Sequence, residues 1–415
     1  GMIHDMMPGV KEELRKGMTS GYIGFDPTAD SLHIGSLVQI MILVHFQKAG
    51  HKPIALVGGA PGMVGDPSGK SQERNLLSKA DLDANLAGVK KQLEQFLDFE
   101  SGENSAELVN NYDWFKEMNF LSFIRDVGKH ITINYMLAKD SVKSRMDTGM
   151  SFTEFTYQLV QGYDFYWLYK NKNCKLQLGG SDQWGNIVAG TELIRRKDGG
   201  EAFAITTPLI QKADGTKFGK TESGNVWLDP VRTSPYKFYQ YWINSSDVDA
   251  EKYIKIFTLL SKNQVNELID EHRKNPSFRL LQKELSKRVT ELVHGKSNFE
   301  AAKNASEILF QKGDAAIEGL KNMDEKLFLE VFEGVPQASF SVDLVGSLSI
   351  IDALSSKSNF LKSNGEARRS LKENSISVNK EKVNENKVIS SADLIGGKYV
   401  LLQKGKRNYF ILKVD

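Results

Sequence analysis

The stretch from residue 20 to residue 60 does most to limit what this chain can become. YIGF reads as a β-strand, DPTADSLH breaks it at a proline, IGSLVQIMILVHFQKAG carries apolar residues at helical spacing and closes on Gly50, and PIALVGG returns to a strand. Strand, helix, strand in that order is a βαβ unit, the seed of a parallel sheet with helices on its faces. LQLGG at 176–180 and AITTPLI at 204–210 supply further strands, so an α/β domain is expected over residues 1–230.

Beyond it the period changes. EKYIKIFTLL, NQVNELIDEHRK and RLLQKELSKRVTELV repeat apolar residues at three- and four-residue steps, which predicts an α-helical domain over 231–334. Residues 334–349 read as a connection, and KYVLLQK and NYFILKV, joined by the turn-prone GKR, read as a terminal strand pair inside a small α+β domain over 335–415. The 415 residues suffice for two or three such domains.

Net charge is only +2, yet from Phe360 to Asp415 twelve Lys and Arg stand against six Asp and Glu, a basic module suited to a polyanionic partner. Cys174 is the only cysteine, so no intrachain disulfide can form, and the seven histidines do not cluster as zinc ligands; no metal site is expected. No run approaches the roughly eighteen apolar residues of a membrane span and the start lacks a secretory layout, which predicts a cytoplasmic protein. Gly1 before Met2 reads as a trimmed start.

Several stretches carry chemistry. At the first helix, Ser31 or Asp30 can cap, the outward amides welcome an anion, His33 can donate to a phosphate oxygen, and Gly35 allows close approach. An ordinary capped helix would look the same. GGAPGMVGDPSGKSQER, residues 58–74, is glycine-rich but no P-loop, because only three residues separate Gly65 from Gly69; it remains a loop bearing Asp66, Lys70 and Arg74. KADGTKFGKTESG, residues 212–224, sets Lys217 and Lys220 where two ammonium groups could swing onto one polyphosphate, although exposed lysine hairpins are common. In YQLVQGYD, Tyr157, Gln161 and Asp164 fall at i, i+4 and i+7 and share a helical face, as pocket lining or as self-satisfied core groups. LQLGGSDQWGN adds Gln177, Asp182 and Gln183 at a strand end, where open α/β sheets bind ligands.

Together these stretches resemble the class I aminoacyl-tRNA synthetases, in particular the bacterial-type tyrosyl-tRNA synthetases, over essentially the whole chain. HIGS stands where that family has HIGH, KFGKT where it has KMSKS, and GFDPTADSLHIG, VGDPSGK, SFTEF, LQLGGSDQWGN and ADGTKFGKTESG follow in order. SNGEARRSLKENSISVN looks like the S4-type RNA-binding fold. The resemblance implies a Rossmann-type parallel-sheet catalytic domain, a helical tRNA-binding domain and an S4-like C-terminal domain. It implies tyrosine activation by ATP with Mg2+, then transfer to tRNA(Tyr), by a homodimer whose seam lies between about Trp114 and Phe155 with Phe152 near its centre.

Carried over by residue, the resemblance puts Tyr22 and Asp164 at the substrate phenol; Asp66, Tyr157 and Gln161 at its ammonium; and Gln177, Asp182 and Gln183 in the tyrosine pocket. Thr28, His33, Lys70, Arg74, Lys217, Lys220 and Thr221 would hold the leaving pyrophosphate. Gly24, Asp26, Gly35, Ser36, Gly180, Asp182, Gln183, Phe218 and Gly219 would line the ATP side, with Gly35 making room for adenine. Ser36 departs from the family's second signature histidine, which predicts weaker ATP binding with activity retained. Two rivals stay open: a tryptophan-specific relative, opposed by the Tyr22–Asp164 pair, and an RNA-binding protein on a synthetase scaffold without catalysis, supported only by Ser36.

Overall fold

The computed structural model describes residues 2–58, 78–100, 102–139, 142–143, 149–221, 224–310, 314–405 and 408–415. They form two compact units, residues 1–233 with 246–281, and residues 234–245 with 282–415.

The first unit is built on a sheet of five parallel strands. They are β1 (Ser20–Phe25), β2 (Lys52–Val57), β3 (Glu107–Asn110), β4 (Cys174–Gly180) and β5 (Phe203–Thr207), in spatial order β3-β2-β1-β4-β5. Parallel strands buried on both faces read as continuous apolar runs, which is why PIALV of β2 is buried throughout. Helix α1 (Ile34–Lys48) follows β1 and buries Leu37, Ile40, Met41 and Val44, the three- and four-residue rhythm of its sequence. Helices α2 (Lys79–Phe96), α3 (Phe152–Lys172) and α4 (Trp184–Asp198) complete the layers, α3 packing along α4. The strand order reverses between β1 and β4, the switch point at which open α/β sheets leave a crevice. The Rossmann-type expectation holds.

Past β5, a short ribbon joins β6 (Lys220–Thr221) to β7 (Gly224–Asn225). Among the helices that follow, α5 (Pro235–Ile243) belongs to the second unit, whereas α6 (Asp247–Ile256) and α7 (Lys262–Lys274) belong to the first. A capping box between Ser261 and Gln264 starts α7.

The second unit continues with α8 (Leu280–His294), α9 (Lys296–Phe310) and α10 (Glu325–Val331), then a sheet of β8 (Gln337–Phe340), β9 (Ile376–Val378), β10 (Glu381–Lys382), β11 (Tyr399–Lys404) and β12 (Asn408–Val414). The expected terminal pair β11–β12 is antiparallel. Its period-2 pattern serves two cores: Tyr399, Leu401 and Ile411 pack with Tyr239, Phe299 and Phe328 of the helices, while Val400, Leu402, Phe410 and Leu412 pack with Ile350, Leu354 and Leu371. The stretch 334–349, read from sequence as a connection, instead contributes β8. That strand lies parallel to β12 and is anchored by Phe340, 4% exposed; its polar outer residues hid the alternation. Among the described residues no helix is long and apolar enough to cross a membrane.

Candidate active site

A cavity of about 600 Å³ opens over the adjacent ends of β1 and β4. β1 brings Tyr22 and Gly24 and runs on into Asp26 and Thr28; β4 brings Gln177 and runs on into Asp182 and Gln183; α1 brings His33, Gly35 and Ser36; α3 brings Tyr157, Gln161 and Asp164. The i, i+4, i+7 face of α3 therefore does face one pocket. Asp164 and His33, 131 positions apart by their numbers, line the same cavity.

At one end the polar groups are dehydrated. Tyr22, Asp164 and Gln177 are 1%, 2% and 3% exposed. The Tyr22 hydroxyl and the Oε1 atoms of Gln161 and Gln177 are buried without a hydrogen-bond partner among the described residues. Leaving such atoms unsatisfied costs about 1–3 kcal/mol each, so this end is shaped for a polar ligand rather than for closure on itself. Asp164 is the exception, since its Oδ1 accepts from Trp114 Nε1 at 2.9 Å and its Oδ2 from Asn111 Nδ2 at 3.0 Å. Burial pushes its carboxyl up to about 8, and the two N–H donors pull the other way. Each oxygen keeps capacity for another donor. Burial, then the neighbouring Asp164, holds the Tyr22 phenol well above its ordinary value, so it remains an O–H.

At the other end His33 caps α1 itself. Its Nδ1 accepts from the Gly35 N–H at 3.0 Å. This corrects the assignment of the cap to Ser31 or Asp30. The Ser31 hydroxyl donates to Leu32 O at 2.8 Å and accepts from Gln92 Nε2 at 2.9 Å, and Asp30 pairs with Arg232 at 2.5 Å. A Cβ on Gly35 would sit 2.7 Å from His33 Cε1, so the glycine is required first of all by the imidazole. Burial, and then the charge of Lys220, lower the His33 pKa. A neutral ring accepting at Nδ1 carries its proton at Nε2, which makes it a hydrogen-bond donor without positive charge.

Lys217, on the loop before the ribbon, and Lys220, the first residue of β6, are exposed and do not line the cavity, although Lys220 lies within electrostatic reach of His33. Phe218 between them is half-buried and Gly219 buried. The Thr221 hydroxyl donates to Gly224 O at 3.2 Å, and Gly180 ends β4 beside Asp182. Asp66, Lys70 and Arg74 lie outside the described residues. Sequence reasoning missed Asn111 and Trp114, which support Asp164 from below, and also Gln39, Asn225 and Trp227 in the lining. Gln39 was within reach, being three residues beyond Ser36 on the same helix face.

Residues 15–311 match the family of class I tRNA synthetases (W and Y), and residues 328–412 match the tyrosine–tRNA ligase SYY-like C-terminal domain. The tyrosine–tRNA ligase of Flavobacterium johnsoniae is 61% identical over 421 residues, covering 100% of this chain and 97% of that protein. The tyrosine–tRNA ligase of Porphyromonas gingivalis is 57% identical, covering 100% and 98%. Among solved structures, a C-terminally truncated mitochondrial tyrosyl-tRNA synthetase from Aspergillus nidulans superposes with a TM-score of 0.67 at 31% identity, over 75% of this chain and 92% of that one.

Proposed function

The chain belongs to the class I tRNA synthetases of the tryptophan and tyrosine group, and we propose how, as an enzyme that ligates tyrosine to tRNA, it uses this cleft. ATP is the co-substrate, and Mg2+ enters bound to it. The substrate phenol donates to Asp164 and accepts from the Tyr22 hydroxyl. The ammonium lies by Tyr157 and Gln161, joined by Asp66, while Gln177, Asp182 and Gln183 hold the carboxylate side. That carboxylate, already ionised, attacks the α-phosphorus of ATP. An O–P bond forms, the bond to the bridging oxygen breaks, and pyrophosphate leaves with the electron pair, so no general base is needed.

What remains to be stabilised is charge on the leaving group. His33 Nε2–H and Thr28 meet it from the helix start; Lys217, Lys220 and Thr221 meet it from their loop, with Lys70 and Arg74 from theirs. Gly24, Asp26, Gly35 and Ser36 border the nucleotide, with Gly180 and Gly219 beside them; Phe218, given to the ATP side by the resemblance, is outside the cavity lining and turns its ring onto Tyr253 and Phe257. The 3′-terminal adenosine of tRNA(Tyr) then takes the tyrosyl group, releasing AMP. Phenylalanine would leave Tyr22 and Asp164 unmatched, the kind of discrimination for which tyrosyl-tRNA synthetases are the established instance.

We place tRNA contacts on the helical segment 231–334 and the basic module 335–415, and the protein in the cytoplasm. The seam of a homodimer is assigned to residues 114–155. Helix Phe120–Asp126 has no buried residue, and Phe120, Leu121, Ile124, Ile133 and Phe152 are 41–78% exposed, large apolar side chains of the kind an interface would cover.

The observation that carries the proposal is one cavity joining a buried phenol–carboxyl pair to the neutral donor of His33. Amino-acid-dependent ATP–pyrophosphate exchange tests it. Tyrosine alone should support exchange; exchange with tryptophan instead, or with neither, would overturn the assignment.

A further inference from the structure

The segment carrying Lys217 and Lys220 is gripped by one stripe of α6 and its C-cap residue Phe257. The Phe218 ring stacks on Phe257 at 5.4 Å and 17°, and meets Tyr253 edge-on at 5.1 Å. Tyr253 and Phe257 are themselves in contact at 6.0 Å and are 2% and 0% exposed. Upstream on the same helix, Asp249 Oδ1 accepts from the Ala213 N–H at 2.9 Å, while its Oδ2 accepts from the Ser246 hydroxyl at 2.8 Å. Lys252 Nζ donates to Gln211 O at 3.1 Å. Positions 249, 252, 253 and 257 are i, i+3, i+4 and i+8, a single helical face. A ring packing, a carboxylate–amide bond and an ammonium–carbonyl bond thus fix the loop at three separate points.

The loop's other neighbour is the start of α1. Gly219, at φ 84°, lies so close that a Cβ there would stand 3.2 Å from Ile34 Cγ1 and 3.5 Å from Gly35 N. Val226 N–H donates to Gly219 O at 3.0 Å, and Ile34 N–H donates to Val226 O at 2.9 Å. Of the two residues between the lysines, Phe218 therefore packs against the α6 stripe and Gly219 abuts the helix that His33 caps.

We propose that the Asp249–Lys252–Tyr253–Phe257 stripe is the seat that positions Lys217 and Lys220, with Phe218 as its peg. None of these residues lines the cavity, so they are positioning residues. A charge stabilises a transition state fully only when it is already in place, because reorganisation at the moment of reaction is costly. Contacts at Gln211, Ala213 and Phe218 leave the lysines fewer arrangements to search when the triphosphate arrives. The inference rests on the reading that those lysines serve the leaving pyrophosphate.

The test is pre-steady-state tyrosyl-adenylate formation in the full chain, with tyrosine affinity measured in parallel. Phe218→Ala should slow the chemical step by roughly 10- to 30-fold, with tyrosine affinity unchanged, since misplacing a preorganised group costs less than deleting it. Phe218→Met, which refills the slot with a long apolar side chain, should restore the rate to within about threefold. Lys252→Met, at a half-buried position, should slow it by about threefold, as one solvent-exposed hydrogen bond is lost. In a Lys220→Ala background the Phe218→Ala effect should shrink, because the two changes act on one element. Should Lys220→Ala leave the rate untouched, the role given to the lysines fails. Should Lys220→Ala be slow while Phe218→Ala runs at the wild-type rate, or should the two multiply independently, the seat fails and the lysine reading stands. Parallel loss of tyrosine affinity in Phe218→Ala would also overturn the seat.

Discussion

At one end of the cleft Tyr22, Asp164 and Gln177 are buried side chains on strands and a long helix, with Asn111 and Trp114 braced beneath; outside the lining, Lys217 and Lys220 stand exposed at the start of the β6–β7 ribbon. On the assignment proposed above, the chemistry explains the difference. Telling a phenol from a phenyl ring means punishing the absence of one hydroxyl, which works only where water cannot substitute, so those groups are dehydrated and rigid. Charge on a departing pyrophosphate is felt over several ångströms, so its partners can stay solvated and need only be well placed. One end trades stability for selectivity, and the other trades burial for access.

The largest effect that could break this comparison concerns the stability held back by Asp164. Its carboxyl, raised to about 8, binds a proton in the folded chain over a range in which the unfolded chain has lost it. Stability should therefore fall as pH rises from about 4 towards 8, by roughly 3–4 kcal/mol between pH 5 and 8. Urea unfolding of wild type and Asp164→Asn across that range isolates the effect, since the static change in hydrogen bonding is common to every pH. The wild type should lose ground to the variant as pH rises. Parallel curves would mean that the tyrosine end stores no such cost.

Next comes the exposed end. Lys220→Ala should slow adenylate formation by roughly 10²–10³, the usual loss of one preorganised charge-stabilising donor, and leave tyrosine affinity nearly unchanged. If affinity collapsed while the chemical step survived, the two ends would not divide the work as described.

How legible these ends were in the sequence follows the same line. The βαβ unit and the shared face of Tyr157, Gln161 and Asp164 come from periods of two and 3.6 residues within one segment, which a sequence displays directly. Asn111 and Trp114 reach Asp164 only because β3 takes the sheet edge beside β2, a pairing that no local pattern announces. The His33 cap was hidden for another reason: histidine is not among the usual capping residues, and only the missing side chain of Gly35 lets its ring fold back. Phe218 was readable as an apolar residue in a polar loop, but its partners on α6 lie 35 and 39 positions further on by their numbers.

A smaller effect would sharpen the account of the buried end. Trp114→Phe keeps an aromatic ring beside Trp167, on which the indole stacks at 4.2 Å, but removes the N–H from which Asp164 Oδ1 accepts. Leaving one buried acceptor without its donor costs about 1–3 kcal/mol. Tyrosine activation should weaken by roughly 10- to 100-fold, and the preference for tyrosine over phenylalanine should narrow with it. Equal weakening for both amino acids would mean that Trp114 supports the pocket's shape rather than its selectivity.

The smallest effect belongs to Ser36. It borders the cavity near His33, on the opening turn of α1, and its backbone N–H donates to His33 O at 2.9 Å, so its position is fixed although its side chain is short. Ser36→His would carry a donor further into the cleft without altering the helix start. One additional solvated hydrogen bond is worth about 0.5–1.5 kcal/mol, so apparent ATP affinity should rise about 2- to 10-fold while tyrosine affinity stays the same. The signature histidine and the serine would then be two strengths of one contact, both on the exposed side of the division. A large loss of adenylate formation in Ser36→His would instead mean that this turn is packed as tightly as the tyrosine end, and that the nucleotide side of the cleft has no slack to accept a longer residue.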